Sequence, residues 1–177
     1  MSSCLMNIES ELESWDGKSS GDIEAIYNRY LESKSFLSTI IQLLEIEKLQ
    51  SGASWLIKHY LEDGRAIDLK QASNILGKLN KLETWEARLH VLQGLPNIPI
   101  SLDRKLGVEY FLRNNLTSEN KFVRAWTYNG FYELSRQYPE YIQETKQFFE
   151  MAMKDEAPSV KARIRNIAKK GFIQGVQ

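Results

Sequence analysis

The sequence predicts an all-α fold: a right-handed α-α superhelix of about four helical pairs, preceded by one or two N-terminal helices. Three observations lead there. Apolar residues recur at helical spacing in one segment after another. Glycine and proline are sparse, 10 and 4 in 177 residues, which leaves little material for the turns of a β-rich chain. Small residues in alternate segments, Ser54, Ala87, Ala125 and Ala162, stand 33, 38 and 37 residues apart, a period that belongs to stacked helical pairs. One pair cannot bury its own apolar face, so the pairs must stack into a continuous core with polar ends.

The elements follow in order. The segment through Trp15-Asp16-Gly17 reads as a helix or a loose arm, and Gly17 to Gly21 as a loop by composition. Asp22 is the expected cap of a helix that carries Ile23, Ile26, Tyr27, Tyr30 and Leu31 on one face. The first pair joins a strongly apolar helix from Phe36 to Leu44 with a second helix from Ser54 to Leu61, which stops at Asp63-Gly64. In the second pair, Leu69, Ala72, Ile75, Leu76 and Leu79 form one helix, and Trp85 to Leu92 its partner, ending at Gly94-Leu95-Pro96. Ile98 to Ser101 reads as a stiff connector. The third pair runs from Leu102 to about Asn114 and from Lys121 to about Arg136. The fourth runs from about Glu140 to Met153 and from Ser159 to Lys170, ending at Gly171. The whole chain, 1–177, reads as a single domain, with 1–33 as an N-terminal cap region and 34–177 as the repeats.

The length suits one domain, and a chain of this size buries about 70% of its unfolded surface without needing disulfides or metal. Formal charge is zero, unevenly spread: residues 1–50 carry a net of −5, residues 51–120 +1 and residues 121–177 +4. The basic C-terminal third favours an acidic partner; the alternative is a solvated helical surface with local bias. The single cysteine, Cys4, cannot form an internal disulfide, and near an acidic terminus it makes a poor nucleophile. Met1-Ser2-Ser3 has neither positive charge nor an apolar core, so no leader is read. No run approaches about 18 apolar residues, so no membrane span is expected either, and the location expected is cytoplasmic.

The last two units carry a family resemblance. Lys121-Phe122-Val123-Arg124-Ala125, after Glu119-Asn120, and Ala157-Pro158-Ser159-Val160-Lys161-Ala162, after Asp155-Glu156, resemble the turn of a HEAT repeat. There a short acidic turn leads to valine and a base at the start of the second helix. The resemblance implies a valine plugged into the core and a base that pairs with the turn acids. Gly52-Ala53-Ser54 and Trp85-Glu86-Ala87 depart from this pattern. Tetratricopeptide repeats, with their fixed period of 34, fit spacings of 38 and 37 less well. The whole chain is also similar to small bacterial HEAT-repeat proteins without an assigned activity, through Trp55-Leu56-Ile57-Lys58, Trp85 to His90 and Lys121 to Trp126. HEAT and ARM arrays are scaffolds, so the resemblance implies binding along the concave face made by the second helices.

No constellation of catalysis stands out. The two histidines, His59 and His90, fall on second helices of adjacent units, but a zinc site needs three or four ligands and no others accompany them. No phosphate-cradling glycine loop and no elbow serine occurs, so neither a cofactor nor an enzyme activity is expected. The informative feature is an interleaving of rings and bases. Trp55 with Lys58, beside His59, and Trp85 with Arg88 share an i, i+3 spacing, and Arg124 with Trp126 continues the theme, followed by Lys161, Arg163 and Arg165. Lining one face, these nine positions and Arg163 would bind an acidic or amphipathic segment of another protein. Two other readings stay open. The tryptophans are core and the bases snorkel over helix stems; or the surface binds nucleic acid. Some alkylpurine DNA glycosylases are HEAT-like solenoids with tryptophans, bases and a catalytic aspartate on the concave side. The second helices here hold no aspartate, Glu86 and Glu133 being the nearest acids, so that likeness is one of architecture alone.

Overall fold

The computed structural model describes residues 3–172, and among them it is all helical. Met1 and Ser2 lie outside the described residues, as does the Cys4 side chain. Ten α-helices follow one another: α1 (Ser3–Ser14), α2 (Ser20–Tyr30), α3 (Phe36–Leu43), α4 (Gln50–Glu62), α5 (Leu69–Leu76), α6 (Trp85–Gly94), α7 (Leu102–Asn115), α8 (Lys121–Gln137), α9 (Ile142–Asp155) and α10 (Pro158–Ala168). No helix is long and apolar enough to cross a membrane.

Several boundaries have evident causes. The cap of α2 is Ser19 rather than Asp22: its hydroxyl accepts the Asp22 N–H, and the Trp15 indole N–H pins the same turn by donating to the Ser19 carbonyl at 2.8 Å. Asp68 and Gln71 close a reciprocal capping box at the start of α5. Gly64 follows α4 with φ +75°, a conformation that a side chain would strain. The Ile98–Ile100 connector is clamped to the end of α8. Gln137 accepts the Ile100 N–H at 2.7 Å, and the Tyr138 hydroxyl donates to the Ile100 carbonyl at 2.8 Å.

Neighbours in space alternate along the chain. The even-numbered helices touch in order, α2 with α4, α4 with α6, α6 with α8 and α8 with α10, and the odd-numbered ones do so from α1 through α7. Side-chain bonds keep the same step. Apart from the bonds of Glu11 to α2 and of Thr145 to Phe131, every long-range side-chain hydrogen bond among the described residues joins positions 31 to 39 apart. Gln50 is one of these links. Buried at 1% exposure, it donates to the Leu44 and Lys81 carbonyls and accepts from the Glu83 and Thr84 N–H groups.

The small residues chosen from sequence do not share one register. The plug of the second unit is Ala87, fully buried like Val123 and Val160. In each of these units the next residue is a base that reaches back to a carbonyl of the preceding turn. Arg88 donates to Leu82 at 2.9 Å, Arg124 to Ser118 at 2.7 Å and Lys161 to Lys154 at 2.9 Å. All three bases are the fourth residue of their helix. Ala87 therefore corresponds to Val123 and Val160, not to Ala125 and Ala162, and the step between units is 36 and then 37 residues. Trp85-Glu86-Ala87 does lack the valine, but Ala87-Arg88 puts a buried small residue and a base at the third and fourth places of α6, where α8 and α10 carry Val123-Arg124 and Val160-Lys161.

Two apolar clusters make the interior. The larger runs from Ile8 to Tyr141. The smaller holds Ala125, Tyr128, Tyr132, Phe149, Ala152, Val160, Ile164 and Ile167. Helix α8 contributes to both, and every residue from Thr127 to Ser135 is buried.

Candidate functional site

The residues singled out from sequence fall into three environments. On α4, Trp55 stacks on His59 with centroids 4.7 Å apart, and His59 meets the Tyr27 ring edge-on at 4.5 Å. Lys58 lies 5.8 Å from the Trp55 ring and pairs with Glu62 at 3.3 Å. Here the i, i+4 geometry of one helix gathers two rings, and the base beside them has its own acid.

At the start of α6, Trp85 is 46% exposed and stands at the rim of a hollow lined also by Arg88 and by the Thr117–Asn120 turn. Trp85 is the first residue of its helix, the place that Lys121 holds in α8, so it is not the counterpart of Trp126. His90 points elsewhere. Its Nδ1 lies 2.9 Å from the buried Ser54 hydroxyl, and burial, aided by the Lys58 charge, pulls it down to about 4.

The third environment spans α8 and α10. Arg124 is held by its neighbours: its guanidinium donates to both Glu156 oxygens and to the Ser118 and Glu119 carbonyls. Burial pushes Glu156 up, but Arg124 and the Ala157 N–H together hold it below the usual carboxylate range. Lys161 is tied to the Lys154 carbonyl, and Arg165 is exposed. The group that completes this environment is Arg163, whose guanidinium lies 3.8 Å from the Trp126 ring centroid. Burial lowers its affinity for the proton, and among the described residues no acid or hydrogen-bond acceptor faces it. It stands 37 residues after Trp126, the separation of Val123 from Val160, and that spacing was the available signal.

Sequence reasoning passed over Asn80, Tyr110 and Asn114, which line a hollow beside Arg88. Uncharged amides carry no spacing signature, and Tyr110, 58% exposed, lies on a first helix. No group of three His, Cys, Asp or Glu side chains among the described residues stands close enough to hold a metal ion. No family model, no curated protein and no solved structure matches the chain.

Proposed function

We propose that the chain is a helical-repeat interaction module, a right-handed α-α superhelix of the HEAT type, which binds an acidic segment of another protein along its even-numbered helices. The alternating helix contacts and the bonds that span one step support the architecture. The observation that carries the binding is Arg163 on Trp126. Elsewhere bases such as Arg65, Lys78, Arg113 and Arg124 are paired with acids from a neighbouring unit. Arg163 is instead preorganised by an aromatic face, with its planar N–H edge unused, and that edge is shaped for a carboxylate.

A second reading, nucleic-acid binding, draws on the neighbouring bases. Arg165, Lys169 and Lys170 of the same end are exposed and unpaired among the described residues, and an arginine on an indole also suits phosphate and base. One experiment separates the two: affinity capture from nuclease-treated and untreated lysate, with wild type beside a folded Arg163→Glu variant. Proteins held after nuclease and lost by the variant support the module. Retention abolished by nuclease moves the assignment to nucleic acid, and equal retention by both baits removes Arg163 from the site.

A further inference from the structure

Two adjoining hollows follow the edge where the turn of the second helical pair meets the turn of the third. One, of ≈ 300 Å³, is lined by Asn80, Arg88, Tyr110 and Asn114 among others. The other, of ≈ 480 Å³, takes in Trp85, Arg88, Asn114 and the turn that ends at Asn120. Arg88 and Asn114 belong to both, so the hollows form a single groove.

The molecule itself displays what an arginine at this position holds. Arg124, the counterpart of Arg88 one unit on, grips Glu156, which lies 32 residues further along. The residue 32 positions after Arg88 is Asn120, whose side chain is already engaged in capping α8 through the Phe122 and Val123 N–H groups. Arg88 instead spends its Nε on the Leu82 carbonyl and, among the described residues, bonds no carboxylate, while its side chain lines both hollows. In the hollow around Arg124 the guanidinium bonds an acid of the lining, Glu156; in the hollow around Arg88 the acid present, Glu119, makes no such bond among the described residues.

The rest of the lining points to a main chain. Asn80 and Asn114 are 34 residues apart, about one step of the array, and their side-chain amides make no hydrogen bond among the described residues. Each amide offers a donor and an acceptor, the complement of a peptide group. Amides one unit apart suit a chain that runs extended across the units. The exposed faces of Trp85 and Tyr110 supply flat apolar surface beside it. Glu119 places negative charge at the Trp85 end, which disfavours a run of acids there.

We infer that this groove binds an extended peptide segment with one carboxylate side chain seated on Arg88. The inference rests on the reading of the chain as a module for acidic segments, and it adds a binding site apart from Arg163 and Trp126. The test is selection of a random twelve-residue peptide library displayed on phage against the full chain. The selected peptides are then synthesised and their affinities measured by fluorescence anisotropy. Two variants probe the groove: Arg88→Gln, and Asn114→Asp, an exposed and unbonded position where a new carboxylate would occupy the guanidinium without disturbing the fold. Acid-bearing peptides that lose about tenfold or more in affinity with both variants, and none with Arg163→Gln, support the groove. Peptides that bind both groove variants as tightly as wild type overturn it. If those same peptides weaken with Arg163→Gln, the interaction-module reading stands and only the groove falls. A library from which nothing is enriched overturns both.

Discussion

Lowering the pH from 7 to 5 is expected to destabilise the protein through His90. The Ser54 hydroxyl donates its one proton to the Ser51 carbonyl at 3.0 Å, so the neutral His90 ring donates from Nδ1 to the Ser54 oxygen. Burial, then the Lys58 charge, oppose protonation and hold the group near 4 against an ordinary 6.5, with a Ser51 backbone hydrogen bond acting the other way. The sign follows from where protons go. Between these two values the unfolded chain binds a proton that the folded one refuses, so stability is complete above 6.5 and falls as the pH drops toward 4. The full difference is about 3 kcal/mol, of which about 2 kcal/mol is lost between pH 7 and pH 5. Glu45, Glu109, Glu140 and Glu156, all held below the usual carboxylate range, add their losses at lower pH. Urea unfolding followed by tryptophan fluorescence at pH 7, 6 and 5 reads the effect, with His90→Asn as the comparison. The variant loses stability at every pH, but its dependence on pH should flatten. A wild type equally stable at pH 7 and 5, or a variant with the wild-type slope, refutes the reasoning.

Gln50→Leu keeps the volume of a buried side chain but strands the backbone groups it bridges, and should cost about 3 kcal/mol in urea unfolding. Arg124→Ala removes a largely shielded pairing with Glu156 and two bonds to carbonyls; a loss of about 2 kcal/mol is expected from the same assay, with little change at an exposed pair such as Lys48–Glu13. Phe149→Ala empties the centre of the smaller apolar cluster and should cost about 4 kcal/mol. Native-state hydrogen exchange should then find the amides of α9 and α10 deprotected while those of α4 keep their wild-type rates.

The helices were legible in the sequence because helical periodicity is a local signal. Lys121 and Trp85 mark the starts of α8 and α6 just where the apolar spacing begins. Capping was less legible: Ser19-Ser20-Gly21-Asp22 offers several residues able to cap, and only the Trp15 bond to Ser19 decides among them. The register between units was misjudged by two residues at Ala87, since small residues are common and any of them can be aligned. The back-bonds of Arg88 and Arg124 fix it, and they cannot be foreseen from spacing alone. The same shift sets Trp85, first in its helix, apart from Trp55 and Trp126, each sixth in theirs. Whether a base is free was also hidden. Lys58 and Arg124 look as available in sequence as Arg88 and Arg163, and only the presence or absence of Glu62, Glu156 and their like at the matching place separates them.

The division of the interior into two clusters that meet on α8 has a mechanical consequence. A load applied from the C-terminal side would reach the smaller cluster first, and the buried residues that α9 and α10 place in it are shared with α8. That unit should peel away as one event while the larger cluster still holds, releasing a contour length of about 100 Å at roughly 3.5 Å per residue. Extension would then leave the larger cluster to yield in a second, separate event, so that the chain gives way in stages rather than as a block that yields at once.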